Sequence, residues 1–216
     1  MEALLYIILS MFDGLAIFIF AFGTFKINLK DYWKEIVFTS AIISTGTYFM
    51  NEHEAFSSFT PFICLVFLTA SLLLYFRISI FSSIRVALVG FVAQIVIQGL
   101  FVLICTKLFQ IDLSDIQGNR MLGGSIQVIS DGTLIGISLM LRKNKRYFTT
   151  LPYDYSYYIK FSKINIIILI GSLVVLVMTY NMFNFNNIYV EIVFWLICFI
   201  NIILFEYVKE ARSEID

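Results

Sequence analysis

Long apolar runs repeat along this chain, with short polar connections between them. Seven runs approach or reach the 17 to 25 residues that a helix needs to cross the hydrocarbon core of a bilayer. They lie near residues 3–24, 33–50, 58–76, 86–107, 121–141, 159–180 and 188–208. The chain is 60% hydrophobic and 14% charged, which is more apolar surface than a soluble domain buries. The sequence therefore predicts an all-α fold, a polytopic membrane helix bundle. Residues 1–208 would form a seven-helix transmembrane domain, and residues 209–216 a short cytoplasmic tail.

Lysine and arginine are distributed unequally among the connections. Of the 15 such residues, all except Lys107 and Arg120 fall on alternate connections, beginning with the one after the first run. Cytoplasmic connections of membrane proteins carry the excess of these cations. This pattern predicts an amino terminus outside the cell, seven crossings and a cytoplasmic carboxyl terminus.

The longest connection on the predicted inner side combines cations with aromatic rings. It contains Arg142, Lys143, Lys145 and Arg146, followed by several tyrosines that include Tyr153 and Tyr157. Such a mixture suits the headgroup layer, where one end of an aromatic side chain is apolar and the other is wet. We expect this loop to anchor the protein at the membrane interface, and a dock for a partner protein is the alternative.

Two acidic side chains lie near the middle of predicted spans. Asp13 lies near the middle of the first run and Asp131 near the middle of the fifth. Counted to the basic residues that end each run, their depths differ by only about 3 Å, so the two could meet. Amides at Gln94, Gln98 and Gln127 lie where they would satisfy buried carboxyl groups. No lysine or arginine lies at that depth, and we therefore expect both acids to be uncharged.

This polar cluster allows several interpretations. Hydrogen bonds that hold helices together explain it without any ligand. A pocket for a ligand with a polar centre and a path for protons or cations are alternatives. A pair of catalytic aspartates is a further alternative, but the second acid lacks the glycine–x–glycine–aspartate context of intramembrane proteases, so we expect no enzyme. Gly132 and Gly136 follow Asp131 at the spacing that lets another helix approach closely.

Other classes of function receive no support from the sequence. Three isolated cysteines and one histidine form no metal-binding or nucleophile pattern, so we expect no cofactor and no metal. The formal net charge is zero, which gives no basis for nucleic-acid binding. Because the amino terminus lacks the basic segment of a cleaved signal peptide, we expect the first run to stay in the membrane.

Three segments carry a resemblance to a known family. They are the start of the chain from Leu9 to Asp13, the fifth run from Arg120 to Arg142 and Lys143, and the exit segment from Glu206 to Asp216. This layout resembles the membrane sensor half of peptide-responsive histidine kinases of the accessory-gene-regulator receptor type, from low-GC Gram-positive bacteria. The resemblance implies a multi-pass protein of a bacterial cytoplasmic membrane that binds a secreted peptide and shifts its last helix. The 216 residues depart from that family because they contain no histidine-bearing dimerisation helix and no ATP-binding domain.

The sequence therefore predicts a ligand-sensing or signalling module that acts through a protein partner or as a homo-oligomer. Its ligand would be an extracellular peptide or a small molecule. Glu206 and Glu210 lie four residues apart on the last helix, on a face that we expect a partner to contact. The alternative is a small transporter component that binds a solute or cation at the midplane cluster.

Overall fold

The structure is a computed structural model that describes residues 2–52, 59–148, 163–181 and 188–213. Within these ranges the chain forms α-helices joined by short connections, with no strand. The helices are α1 (Glu2–Thr24), α2 (Trp33–Asn51), α3 (Thr60–Leu74), α4 (Ile80–Leu108), α5 (Leu113–Gly118), α6 (Arg120–Lys143), α7 (Lys163–Asn181) and α8 (Ile188–Ser213). The all-helical prediction is confirmed, and each of the seven apolar runs corresponds to one helix. The additional helix α5 has six residues.

Four of these helices are long and apolar enough to cross a membrane. Their apolar segments are Ala3–Thr24, Ile80–Leu108, Met121–Lys143 and Tyr189–Ala211. Helix α3 has 15 residues, and serine and threonine dilute the apolar character of α2. In hydrocarbon every backbone N–H and C=O must be bonded within the protein, so runs rich in Ile, Val and Phe fold as helices there despite their modest helix propensity in water.

The side chains that face away from the bundle are themselves apolar. Ile167 and Ile170 of α7 are each 57% exposed, and Val193 and Ile197 of α8 are each 54% exposed. Contiguous apolar surface of this kind is uncommon on soluble monomers. It is consistent with helices that are surrounded by lipid.

Contacts at the helix ends define the directions of the helices. Where α1 begins, Tyr6 packs against Tyr48 near the end of α2, with ring centroids 5.7 Å apart. Where α1 finishes, Arg142 in the last turn of α6 donates a hydrogen bond of 2.8 Å to the carbonyl of Ile27. Helix α2 is therefore antiparallel to α1, and α6 is parallel to it. We call the end where α1 begins the first end of the bundle, and the opposite one the second end.

Helix α1 lies at the centre of the bundle, in contact with α2, α4 and α6. Its closest approach to α4 is at Gly90, where a Cβ atom would lie 2.9 Å from Ile17 Cγ2 and 3.0 Å from the Ile17 carbonyl oxygen. A hydrogen at this position lets the two backbones approach closely. Helix α4 in turn contacts α3, α6, α7 and α8, so α1 and α4 together form the core.

Four helix ends are followed by a non-glycine residue in the left-handed conformation, with φ of 52 to 57°. These residues are Lys26, Arg77, Gln110 and Lys145. After α1, the N–H of Ile27 bonds the carbonyl of Phe22 at 2.9 Å, which is the closing hydrogen bond of a Schellman motif. Three of the four residues are basic and lie at the second end. Each therefore ends a helix and also places a cation near the partial negative charge of that helix terminus.

Candidate functional site

Polar side chains along one face of α6 attach this helix to the backbone of α1. Gln127 Nε2 donates to the Leu9 carbonyl at 3.3 Å, and Ser138 Oγ donates to the Ile19 carbonyl at 2.8 Å. These donors lie on one side of α6 because their spacing fits whole helical turns. The two parallel helices are thereby fixed in register, with Asp131 facing α1 between them.

A triad of the half-buried Asp13 and the buried Gln94 and Asp131 joins α1, α4 and α6 near the midpoint of each helix. The amide nitrogen of Gln94 donates to Asp131 Oδ1 at 2.6 Å and also to Asp13 Oδ1. Asp131 is fully buried and Gln94 is 4% exposed. Asp13 and Asp131, which the sequence places at similar depth, are thus brought together in the structure, and Gln94 is the amide that joins them.

The triad keeps acceptor capacity that its own members do not use. Asp131 Oδ2 and Gln94 Oε1 are buried without a hydrogen-bond donor among the described residues. In the same part of the chain, neither acid takes part in an ion pair. Without a cation, the site is electrically neutral only when both carboxyl groups carry protons. The arrangement can therefore hold protons or accept a positively charged group.

The other two amides of the predicted cluster lie outside the triad. Gln98 is half-buried one turn beyond Gln94, and no hydrogen bond between described residues joins it to the acids. Gln127 bonds the backbone of Leu9 one turn before Asp131. The predicted cluster of five residues is thus a triad with two neighbours.

The two glycines after Asp131 do not pack against another helix among the described residues. A Cβ atom at Gly132 or Gly136 would have no atom of the described residues within 4 Å, and both positions are exposed. The close approaches between helices occur instead at other glycines, such as Gly14 against Ser40 and Gly90 against Ile17. The predicted role of Gly132 and Gly136 in helix packing stays a prediction.

A cavity of about 370 Å³ lies above the triad at the first end. We call it the first-end pocket, which is lined by residues that include Tyr6, Leu9, Tyr48, Glu52 and Gln127. Leu9 and Gln127 each precede an acid of the triad by four residues, so the floor of the pocket lies about 6 Å from the carboxyl groups along the helix axes. Tyr48 donates to Glu52 Oε1 at 3.1 Å at the rim. The pocket thus combines aromatic faces with hydrogen-bonding groups.

A second buried polar contact joins α4 to α8 at the second end. Arg85 donates to both carboxylate oxygens of Glu206, with Nε at 2.7 Å from Oε1. The two side chains are 3% and 1% exposed. The guanidinium also lies 5.7 Å from the ring centroid of Phe25. A fork-shaped guanidinium matches the two oxygens of a carboxylate, so this pair is held in one geometry.

This ion pair corrects two expectations from the sequence. Arg85 was assigned to a connection, but α4 begins at Ile80, so Arg85 lies within the helix and is buried. Glu206 was expected on a surface that a partner contacts, and that expectation is wrong because the carboxylate is enclosed against α4. The sequence signal for this ion pair is Glu206 itself, which lies within the apolar run 188–208. A carboxylate in such a run requires a partner.

The basic residues after the fifth run divide between helix and loop. Arg142 and Lys143 belong to the last turn of α6, and Arg142 is half-buried where it bonds Ile27. Lys145 and Arg146 follow the helix and are exposed. The predicted interfacial tyrosines Tyr153 and Tyr157 lie outside the described residues. The interfacial role of this segment stays a prediction.

Comparisons with known proteins do not identify a relative. The chain matches no protein-family model, no curated protein and no solved structure. Within the described ranges, no group of three or more histidine, cysteine or acidic residues is placed to hold a metal ion. The features of this chain that bear on function are the triad, the first-end pocket and the Arg85–Glu206 pair.

Proposed function

We propose that this protein is a membrane sensing module that crosses a bacterial cytoplasmic membrane seven times, begins outside and ends in the cytoplasm. In this topology the first end of the bundle faces the exterior, because the second end collects the lysines and arginines. The first-end pocket then receives the ligand, which is an extracellular peptide or a small molecule. The resemblance to the accessory-gene-regulator receptor type favours a peptide.

The observation that carries this proposal is that one helix holds both buried polar contacts. Gln94 and Arg85 lie nine residues apart on α4, about 14 Å along its axis. Gln94 bonds the acids of α1 and α6, whereas Arg85 bonds Glu206 of α8. A ligand that displaces α1 or α6 at the first-end pocket therefore acts on α4, and α4 acts on α8.

The output would leave the bundle through the exposed part of α8. Glu206 is committed to Arg85, so a cytoplasmic partner would contact other positions, such as the exposed Tyr207 and Val208. A ligand moves this helix only if it binds two arrangements of the bundle with unequal affinity. Breaking the triad by mutation should imitate such a ligand.

A spin-label measurement tests this coupling. Cysteines at Lys143 and Tyr207, in a background without native cysteines, place labels on α6 and α8 at the second end, where both positions are exposed. Double electron–electron resonance in nanodiscs gives the distance between them. We expect Gln94→Leu to shift that distance by about 1 to 2 Å or to broaden it, as in helix shifts of known switches.

The matched control is Gln98→Leu, which makes the same substitution one turn away from the triad and should leave the distance unchanged. If a folded Gln94→Leu protein gives the same distance distribution as the unmodified protein, then the triad is not coupled to α8 and the sensing proposal fails. An equal shift in the Gln98→Leu protein would also contradict the proposal.

A transporter component is the second candidate, and the unused acceptors of the triad favour it. Asp131 Oδ2 and Gln94 Oε1 are buried oxygens that a proton or a small cation would satisfy. In liposomes with an internal pH-sensitive dye, a transporter of this kind would move protons under an imposed gradient. Asp131→Asn would abolish the movement. Equal dye responses with and without the protein would contradict proton transport by this protein.

A further inference from the structure

A largely apolar cleft of about 600 Å³ lies beside α4, between α7 and α8. We call it the α7–α8 cleft. Its walls include Ile168, Gly171 and Val175 of α7, together with Ile197 and Ile202 of α8. This volume falls within the range of about 300 to 1,000 Å³ that is typical of ligand sites in proteins. Both helices that border the cleft expose apolar side chains. A molecule that binds in the cleft would therefore come from the surrounding lipid.

One end of the cleft is charged. Arg85 and Glu206 form part of its lining at the second end. Lys209 follows Glu206 by three residues, is half-buried, and interacts electrostatically with both members of the ion pair. The ion pair itself is neutral, so Lys209, which lies one turn beyond the lining residue Glu206, places an excess positive charge close to this end of the cleft. An apolar chamber with a cationic end is complementary to an anionic amphiphile.

We propose that the α7–α8 cleft binds one acyl chain of an anionic phospholipid, with the lipid phosphate near Lys209 and Arg85. The lipid would come from the leaflet at the second end, which is the cytoplasmic leaflet in the proposed topology. Basic pockets between membrane helices on that side attract anionic headgroups. Bound in this way, the lipid fills the space between α7 and α8 and stabilises the packing of both helices.

Two substitutions test the two parts of this site. Lys209→Gln removes the excess charge, while the ion pair of Arg85 and Glu206 is kept. Gly171→Phe fills the cleft, because a Cβ atom at Gly171 meets open space and the residue is part of the wall. Lys30→Gln is the matched control for charge, since Lys30 is exposed in the connection between α1 and α2.

The assay is native mass spectrometry of the full chain in detergent, titrated with phosphatidylglycerol or with phosphatidylcholine of the same acyl chains. We expect the unmodified protein to bind phosphatidylglycerol more tightly. Lys209→Gln should weaken that binding about fivefold, the equivalent of about 1 kcal/mol per basic residue. Lys30→Gln should not change it, and Gly171→Phe should weaken the binding of both lipids.

Three results would each overturn the proposal. They are equal affinity of the unmodified protein for the two lipids, an equal loss in the Lys209→Gln and Lys30→Gln proteins, and unchanged binding in a folded Gly171→Phe protein. If Gly171→Phe does not fold, the lipid comparison and the lysine pair decide the question on their own. None of these outcomes depends on whether the protein is a sensor.

Discussion

The buried Arg85–Glu206 pair gives the sharpest stability prediction. At 3% and 1% exposure, neither charge reaches water, so removing one partner leaves the other uncompensated. Such a loss costs about 3 to 5 kcal/mol in proteins. We expect Glu206→Leu to be the more damaging single change, because a guanidinium keeps its charge whereas a carboxyl group can be neutralised by a proton. Arg85→Met should cost somewhat less, although it also removes the contact with Phe25.

The double variant distinguishes an ion pair from two independent contacts. When apolar residues of similar volume replace both partners, the desolvation cost of the charges disappears as well. We therefore expect Arg85→Met combined with Glu206→Leu to recover to within about 1 kcal/mol of the unmodified protein. The coupling energy of the double-mutant cycle should then be several kcal/mol.

Reversible unfolding in mixed micelles with increasing dodecyl sulfate measures these free energies. Trp195 of α8 is 2% exposed, and its fluorescence should report the unfolding of the bundle. Lys34→Met is the control, because it removes a cation from an exposed position in the first turn of α2. The reasoning is refuted if both single variants lose less than about 1 kcal/mol, or if the loss in the double variant equals the sum of the single losses.

Three further predictions follow from the triad, the glycines and the topology. In the same unfolding assay, Asp131→Asn should be tolerated because an amide oxygen still accepts a hydrogen bond, whereas Asp131→Leu should cost about 1 to 2 kcal/mol; equal losses would contradict a hydrogen-bonding role. Gly90→Val should destabilise by about 1 to 3 kcal/mol through its clash with the α1 backbone, and Gly132→Val, which faces open space, should cost less than about 1 kcal/mol; the reverse order would contradict the packing described. Topology can be tested with Ser114→Cys and Asn144→Cys proteins that contain no other cysteine. When an impermeant thiol reagent is added from outside, only position 114 should react. Labelling of position 144 alone would show that the orientation is opposite to the proposed one.

Features that depend on a periodic or repeated signal could be predicted from the sequence. The helices could be predicted from the apolar runs. In hydrocarbon, the α-helix is the regular structure in which a single segment bonds all of its own backbone groups. The similar depth of Asp13 and Asp131 could be predicted because both helices begin at the same end of the bundle, whereas the contact between these two helices is known only from the structure. The sequence also placed Gln94 in the cluster, but it did not distinguish Gln94 from Gln98 and Gln127 as the amide that joins the acids.

Features that depend on helix rotation could not be predicted in the same way. The spacing of Gly132 and Gly136 allows a close approach, but it does not say whether that face turns towards a helix of the same chain. Arg85 was misplaced because a cation beside an apolar run usually marks a connection. The pairing with Glu206, which is remote in sequence, makes this buried arginine tolerable. The cleft between α7 and α8 arises from how these helices pack, for which the sequence carries no local signal.

The distance in sequence between the two members of the ion pair also affects the order of assembly. Arg85 precedes Glu206 by 121 residues. At about 5 to 20 residues per second, synthesis reaches Glu206 about 6 to 24 s after Arg85. Until then, α4 lacks the carboxylate that will pair with its arginine, and a long cationic side chain in this position extends towards the membrane surface. We therefore expect α4 to reach its final depth in the membrane only after α8 has been synthesised. Helix α8 then completes the bundle by supplying the carboxylate that pairs with Arg85.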